Sequence, residues 1–209
     1  MPFLSVPKLY DVDVIEIEML QSGDAETGEA QWVFDFDAIE RAFAAGCHAF
    51  VLCNPHNPIG KVLTLEEELR LSDLAAQYDV RIFNDEIHAP FVFEGKHIPF
   101  PTISEQAALQ SMTATSASKS FNIPGTKCAQ VLLTNPADRD MWAVKAEWSE
   151  HQTATIGAIA TTTAYNEGDL CSRMRLPMCA GIWRCSTSRC VKGSPASAIS
   201  NRRHIYRMA

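Results

Sequence analysis

From Val12 to Met19 the chain reads VDVIEIEM, with apolar side chains alternating with acids. A period of two gives one dry face and one wet face, so a strand is expected here. FDFDAIERAFAAG follows at 34–46. Its spacing predicts a short helix, capped by Asp35 or Asp37 and ended by Gly46. The apolar run Ala49–Cys53 is expected as a buried strand, and NPHNPIG (Asn54–Gly60), with two Asn-Pro steps and a glycine, as a loop. Thr64 and Glu67 form a capping box that opens the next helix, with Leu71, Leu74, Ala75 and Tyr78 as its apolar stripe. Three further strands are expected at Val80–Asn84, Met112–Ser116 and Gln130–Thr134. Asn135 and Pro136 then fit the N-cap and first position of another helix.

Strands alternate with helices, which is the α/β pattern. Polar motifs fall just beyond three of the expected strands: NPHNPIG, DEIH (Asp85–His88) and SKSFN (Ser118–Asn122). In such sheets ligands bind in the crevice beyond the carboxyl ends of the strands. Asn57, Asp85 and Lys119 are therefore expected to meet in one crevice, although they are far apart in sequence.

Composition narrows the class. The chain has 209 residues, 46% of them hydrophobic and 21% charged, which is ordinary for a globular protein with a substantial core. No run approaches the roughly 18 apolar residues of a membrane span. The start MPFLSVPKLYDVDV has neither a basic nor an apolar leader region, so a cytoplasmic protein is expected. The net charge of -7 speaks against nucleic acid as a partner. That charge is unevenly spread. Residues 1–169 hold all 25 acids and 10 of the 18 Lys and Arg, while residues 170–209 hold 8 basic residues and no acid. The tail also carries Cys171, Cys179, Cys185 and Cys190, four of the seven cysteines. It sustains neither a helical nor an alternating period. A basic arm, an irregular metal site without any Cys-x-x-Cys pair, and an aberrant or frameshifted end all compete for it. The lack of acids favours the last, and no folded domain is expected there.

Lys119 stands out in TSASKSFNIPGTKCAQ (115–130) because no acid lies within ten residues on either side. An amine, a carboxylate, an amide and several hydroxyls together suit pyridoxal phosphate (PLP). Its aldehyde takes a lysine, its ring nitrogen an acid, and its phosphate hydroxyls and a cation. Taken singly, each residue has a plainer reading: Lys119 as a solvated surface lysine, Asp85 as a helix cap, Asn57 as turn chemistry, and Ser116 and Ser118 as loop serines. His48, His56, His97 and His151 show no ligand spacing and no metal is expected. Cys47, Cys53 and Cys128 read as small apolar fillers of a reduced protein.

NPHNPIG, NDEIH and SASKSFNIPGTK, in this order and spacing, resemble the fold-type I PLP enzymes of the aspartate aminotransferase superfamily. Within it they look most like the MalY/PatB class of cystathionine and cysteine-S-conjugate β-lyases. The resemblance covers about residues 1–169. It implies the large PLP-binding domain of that fold, an α/β/α three-layer structure with a mostly parallel sheet. It implies Lys119 as Schiff-base lysine and base for the Cα proton, Asp85 against the pyridinium nitrogen, and Asn57 on the 3-oxygen. Ser116, Ser118 and Lys127 are implied at the phosphate, with His88 where many relatives carry a tyrosine. The implied activity is β-elimination on an amino-acid substrate, giving thiol, pyruvate and ammonia, in a homodimer. An aminotransferase using the same residues, and a non-catalytic remnant or regulatory binding protein, are the alternatives. Relatives of this kind are about twice as long. A ring-stacking aromatic and a glycine loop are expected before the start, and a small domain with a carboxylate-binding arginine after about residue 169. A sheet without those parts would expose apolar faces, so the chain alone is expected to be unstable or to aggregate.

Overall fold

The computed structural model describes residues 2–23, 31–168, 177 and the backbone of 204–208. In chain order its elements are α1 (Pro2–Ser5), β1 (Glu16–Glu18), β2 (Leu20–Ser22), β3 (Gln31–Val33), α2 (Phe36–Ala44), β4 (Ala49–Cys53), α3 (Leu65–Gln77), β5 (Arg81–Asp85), α4 (Glu105–Gln110), β6 (Ser111–Thr115), α5 (Ala117–Ser120), β7 (Gln130–Leu133), α6 (Pro136–Lys145), α7 (Glu147–His151), α8 (Thr155–Glu167) and β8 (His204–Met208).

Local chemistry sets most of these boundaries. Asp35 caps α2 by accepting from the Ala38 N–H at 2.8 Å, and Gly46 follows at φ +92°, where a side chain would be strained. The capping box of α3 closes in both directions, Glu67 N–H to Thr64 Oγ1 and Thr64 N–H to the Glu67 carboxylate. Asn135 caps α6 through the Ala137 N–H, with Pro136 in the first turn.

The main sheet runs β1-β8-β4-β5-β6-β7. β4, β5 and β6 are parallel neighbours, β7 is antiparallel to β6, and β8 is antiparallel to both β4 and β1. Strands β1, β4, β5 and β6 therefore share one direction, which gives the mostly parallel sheet expected from the sequence. The long alternating stretch yields only a short strand, with Ile17 and Met19 buried, and β2 pairs with β3 in a separate small sheet. Apart from Pro177 and the β8 strand, the tail and the expectation about its folding lie outside the described residues.

One face of the sheet carries the core. Phe50 and Leu52 of β4 and Ile82 of β5 pack with Phe36, Ile39 and Phe43 of α2, Leu71 and Ala75 of α3, and Ala107 of α4. Phe43 and Phe50 meet edge to face, with ring centroids 5.8 Å apart. On the other face the register aligns Val51 with Phe83 and Cys53 with Asp85, and Phe83 with Met112 and Asp85 with Ala114. Apolar side chains are also exposed on the C-terminal helices, notably Val144, Trp148, Ile156 and Ile159.

Helix α8 docks on α5 and on the tight turn Pro124–Thr126. Gly157 permits this. A Cβ there would sit 2.3 Å from the Thr126 carbonyl oxygen and 3.1 Å from Cys128 Cβ. Alanine normally stabilises a helix over glycine by about 1 kcal/mol. The Gly157→Ala variant is expected to do the reverse and to lose on the order of 1–3 kcal/mol, because backbone must move to admit the methyl. Thermal unfolding checks this, and a raised Tm would mean that α8 does not dock here.

Candidate active site

Three parallel strands end side by side, and the polar loops leave from their carboxyl ends. β4 hands over to the loop of Asn57, β5 ends on Asp85, and β6 leads through Ser116 into the short helix α5, which carries Lys119. The junctions are fastened by backbone. Asn54 N–H donates to the Asp85 carbonyl at 3.1 Å, and Glu86 N–H donates to the Ala114 carbonyl at 2.9 Å.

Asp85 is half-buried at this mouth, and its Oδ1 accepts from the Ile87 N–H at 3.0 Å. Burial raises its pKa above the ordinary carboxylate value, while the Ile87 N–H and the charges of His88 and Lys119 pull the other way. His88 is half-buried, and burial lowers its pKa against the opposing pull of Asp85. Asp85, His88 and Lys119 thus lie within electrostatic reach of one another, so the acid that Lys119 lacks in sequence arrives from a neighbouring strand. Asn57 is exposed at the end of its loop. It lines, with His88, a cavity of about 600 Å³ walled by Pro58, Val62, Phe91 and Phe93.

The other expected residues are placed differently. Ser116 is buried. Its hydroxyl donates to the Cys128 carbonyl at 2.6 Å and accepts from the Ser118 N–H at 3.0 Å, so it ties α5 to the segment before β7. Ser118 is half-buried, and Lys127 is exposed at a left-handed φ of +48° just after the Pro124–Thr126 turn. Among the described residues no group of His, Cys, Asp and Glu could hold a metal ion.

One crevice residue carries no motif. Cys53 pairs in register with Asp85, and its thiol is pushed up to about 11 by burial and by the Asp85 charge, against a pull from the Asn57 backbone. By sequence alone it is expected only as a small apolar filler. The signal that could have placed it was the shared position of Cys53 and Asp85 at the last residue of two aligned strands.

This donor set fits PLP: a half-buried carboxyl for a ring nitrogen, an exposed amine beside it for an aldehyde, and an amide and an imidazole at the rim for a ring oxygen. The aminotransferase class I and II pattern matches residues 3–175. The chain belongs to that family. Its relatives include a cystathionine β-lyase of Corynebacterium glutamicum, 39% identical over 168 residues, which are 80% of this chain and 42% of that protein. The cystathionine β-lyase PatB of Bacillus subtilis is 30% identical over 145 residues, 67% of this chain and 37% of its own. Among solved structures, one described as a PLP-dependent β-cystathionase from Corynebacterium diphtheriae superposes with a TM-score of 0.67 at 38% identity, covering 73% of this chain and 39% of that one. The large-domain aminotransferase fold expected from the motifs is thereby shown. The chain spans about two fifths of the length of the relatives it matches. No helix among the described residues is long and apolar enough to cross a membrane.

Proposed function

We propose that this chain carries the cofactor side of a PLP-dependent carbon–sulfur β-lyase acting on cystathionine or another cysteine S-conjugate. The observation that carries this is the convergence of Asp85, His88 and Lys119 at the ends of β5 and β6, with Asn57 beside them at the end of β4. When bound, PLP supplies an electron sink that acidifies the Cα proton of an attached amino acid. Lys119 provides the attaching amine and then takes the Cα proton. Asp85, whose anion is disfavoured by burial but favoured by the Ile87 N–H and by the charges of His88 and Lys119, keeps a ring nitrogen protonated. Asn57 donates to the ring oxygen, and His88 stands by it as a second donor. Ser118 and Lys127 hold the phosphate, and Ser116 supports them by fastening α5. Loss of the thiol from Cβ, followed by hydrolysis, yields pyruvate and ammonia.

An aminotransferase built on the same residues is the second reading, favoured by the family to which the chain belongs. Purified protein with PLP and cystathionine, in the absence of any 2-oxo acid, separates the two. Pyruvate and free thiol appearing together are expected. Turnover only when a 2-oxo acid is added would overturn the lyase reading. We extend the proposal to a homodimer in the cytoplasm.

A further inference from the structure

Beneath the crevice lies a second polar layer that faces the core. Neighbouring residues of a strand point to opposite faces, so while Cys53 and Asp85 meet the crevice, Asn54 and Glu86 turn under it. Asn54 is 1% exposed and Glu86 6%. Helix α3 adds Glu68, which is fully buried and falls on the same stripe as Leu71, Ser72 and Ala75.

These groups are wired to the loop above. Asn54 Nδ2 donates to Glu68 Oε1 at 2.7 Å, and Asn54 Oδ1 accepts from the Leu63 N–H at 3.0 Å. Leu63 to Asn54 closes the loop that carries Asn57, inside which His56 N–H donates to the Lys61 carbonyl and Gly60 N–H to the His56 carbonyl, both at 2.7 Å. Glu86 is held separately. Its Oε1 accepts from the Phe100 N–H at 2.9 Å and from the Asn84 amide, and its Oε2 lies 3.0 Å from His97 Nε2. Glu68 Oε2 has no hydrogen-bond partner among the described residues.

A buried carboxyl on the apolar stripe of a helix costs free energy unless it is bonded. Packing alone would be served better by leucine. Its one bond goes to the residue that closes the loop. We propose that Glu68 is a positioning residue: its carboxyl orients Asn54, Asn54 latches Leu63, and the latch fixes the loop that presents Asn57 to the crevice. The link to cofactor binding rests on the PLP reading above, whereas the latch itself does not. Burial and the nearby Glu86 push the Glu68 pKa up to about 8, so at neutral pH the uncharged acid is the form that accepts from Asn54. The charged groups facing it are Glu86 from the end of β5, with His97 against it, and Glu67 on its own helix, which pairs with Lys61 at 2.8 Å.

The test compares Glu68→Leu with Glu68→Gln, which keeps an oxygen for Asn54. Protection of the Leu63 amide against hydrogen exchange is read in the chain without cofactor, with Ile82 in β5 as control. PLP affinity is read by absorbance titration. Glu68→Leu is expected to lower Leu63 protection and PLP affinity by about tenfold each, the equivalent of one buried hydrogen bond. Ile82 is expected to hold its protection, and Glu68→Gln to stay near wild type in both readouts. Unchanged Leu63 protection in Glu68→Leu, an equal loss at Ile82, or a Gln variant as impaired as the Leu variant would overturn the proposal. Should Glu68→Leu fail to fold, Asn54→Ala breaks the latch from the other side, and intact Leu63 protection there overturns it equally. If the wild type takes up no PLP at all, the lyase reading fails while Leu63 exchange still decides the role of Glu68.

Discussion

Lys119→Ala is expected to abolish borohydride-stable attachment of PLP to this chain. The wild type mixed with PLP should develop a visible absorbance band that borohydride removes, leaving the label on the peptide that contains Lys119. The expectation rests on placement. Lys119 is exposed at the mouth of the crevice, within electrostatic reach of Asp85 and His88, so its amine can meet an aldehyde held against the Asp85 carboxylate. Lys96, Lys127 and Lys145 are the controls, since a reactive aldehyde labels any accessible amine to some extent. A specific site concentrates the label on one residue, because orientation is worth far more than the intrinsic reactivity of a lysine. Label spread over several lysines, or a band that survives Lys119→Ala, would mean that this crevice does not gather the cofactor, whatever the motifs say. Asp85→Asn in the same assay is expected to keep the attachment while shifting the band, because the ring nitrogen loses its anionic partner.

The second large effect is on stability against pH. Glu68 is buried and holds its proton up to about 8, whereas its ordinary value is 4.5. Between those limits the folded chain binds a proton that the unfolded chain has released, so folding stability falls as pH rises. The contribution is fully present below pH 4.5, declines across the window and is gone above about 8. It amounts to a few kcal/mol at most, at about 1.4 kcal/mol for each tenfold in proton affinity. Asp85, raised by burial, adds a slope of the same sign. His88, lowered by burial, works in the opposite direction below pH 6.5. Glu68→Gln cannot ionise and is expected to flatten the decline between pH 5 and 8, leaving the variant relatively more stable at alkaline pH. Chemical denaturation at several pH values measures this, and an unchanged slope in the Gln variant would show that Glu68 ionises normally in the folded chain.

Much of this molecule was legible in the sequence. The capping box of Thr64 and Glu67, the Asp35 cap and the Asn135-Pro136 start are interactions between residues three or fewer apart, and all formed where the pattern put them. β4 matched its apolar run, and β5 and β6 were displaced by one residue, an ordinary uncertainty at strand ends. The Asn-Pro loop, DEIH and the lysine segment were recognisable because each needs particular residue types at fixed local spacing, and together they placed the chain in its family. Other features were not legible. The reversal of β7, the shortness of β1 against its long alternating pattern, and the β2–β3 pair depend on which segment lies alongside which. So does the company of Cys53 and Asp85, two residues 32 positions apart that only the register brings together. Glu68 is the clearest case. Its spacing put it on the buried stripe of α3, yet a glutamate among three consecutive acids reads as a solvated face. Only the docking of that helix under Asn54 removed it from water and gave its carboxyl a partner. Hydrogen bonds within one turn are specified by neighbours in the chain, whereas burial and charge coupling are properties of surfaces that meet only after the sheet has chosen its register.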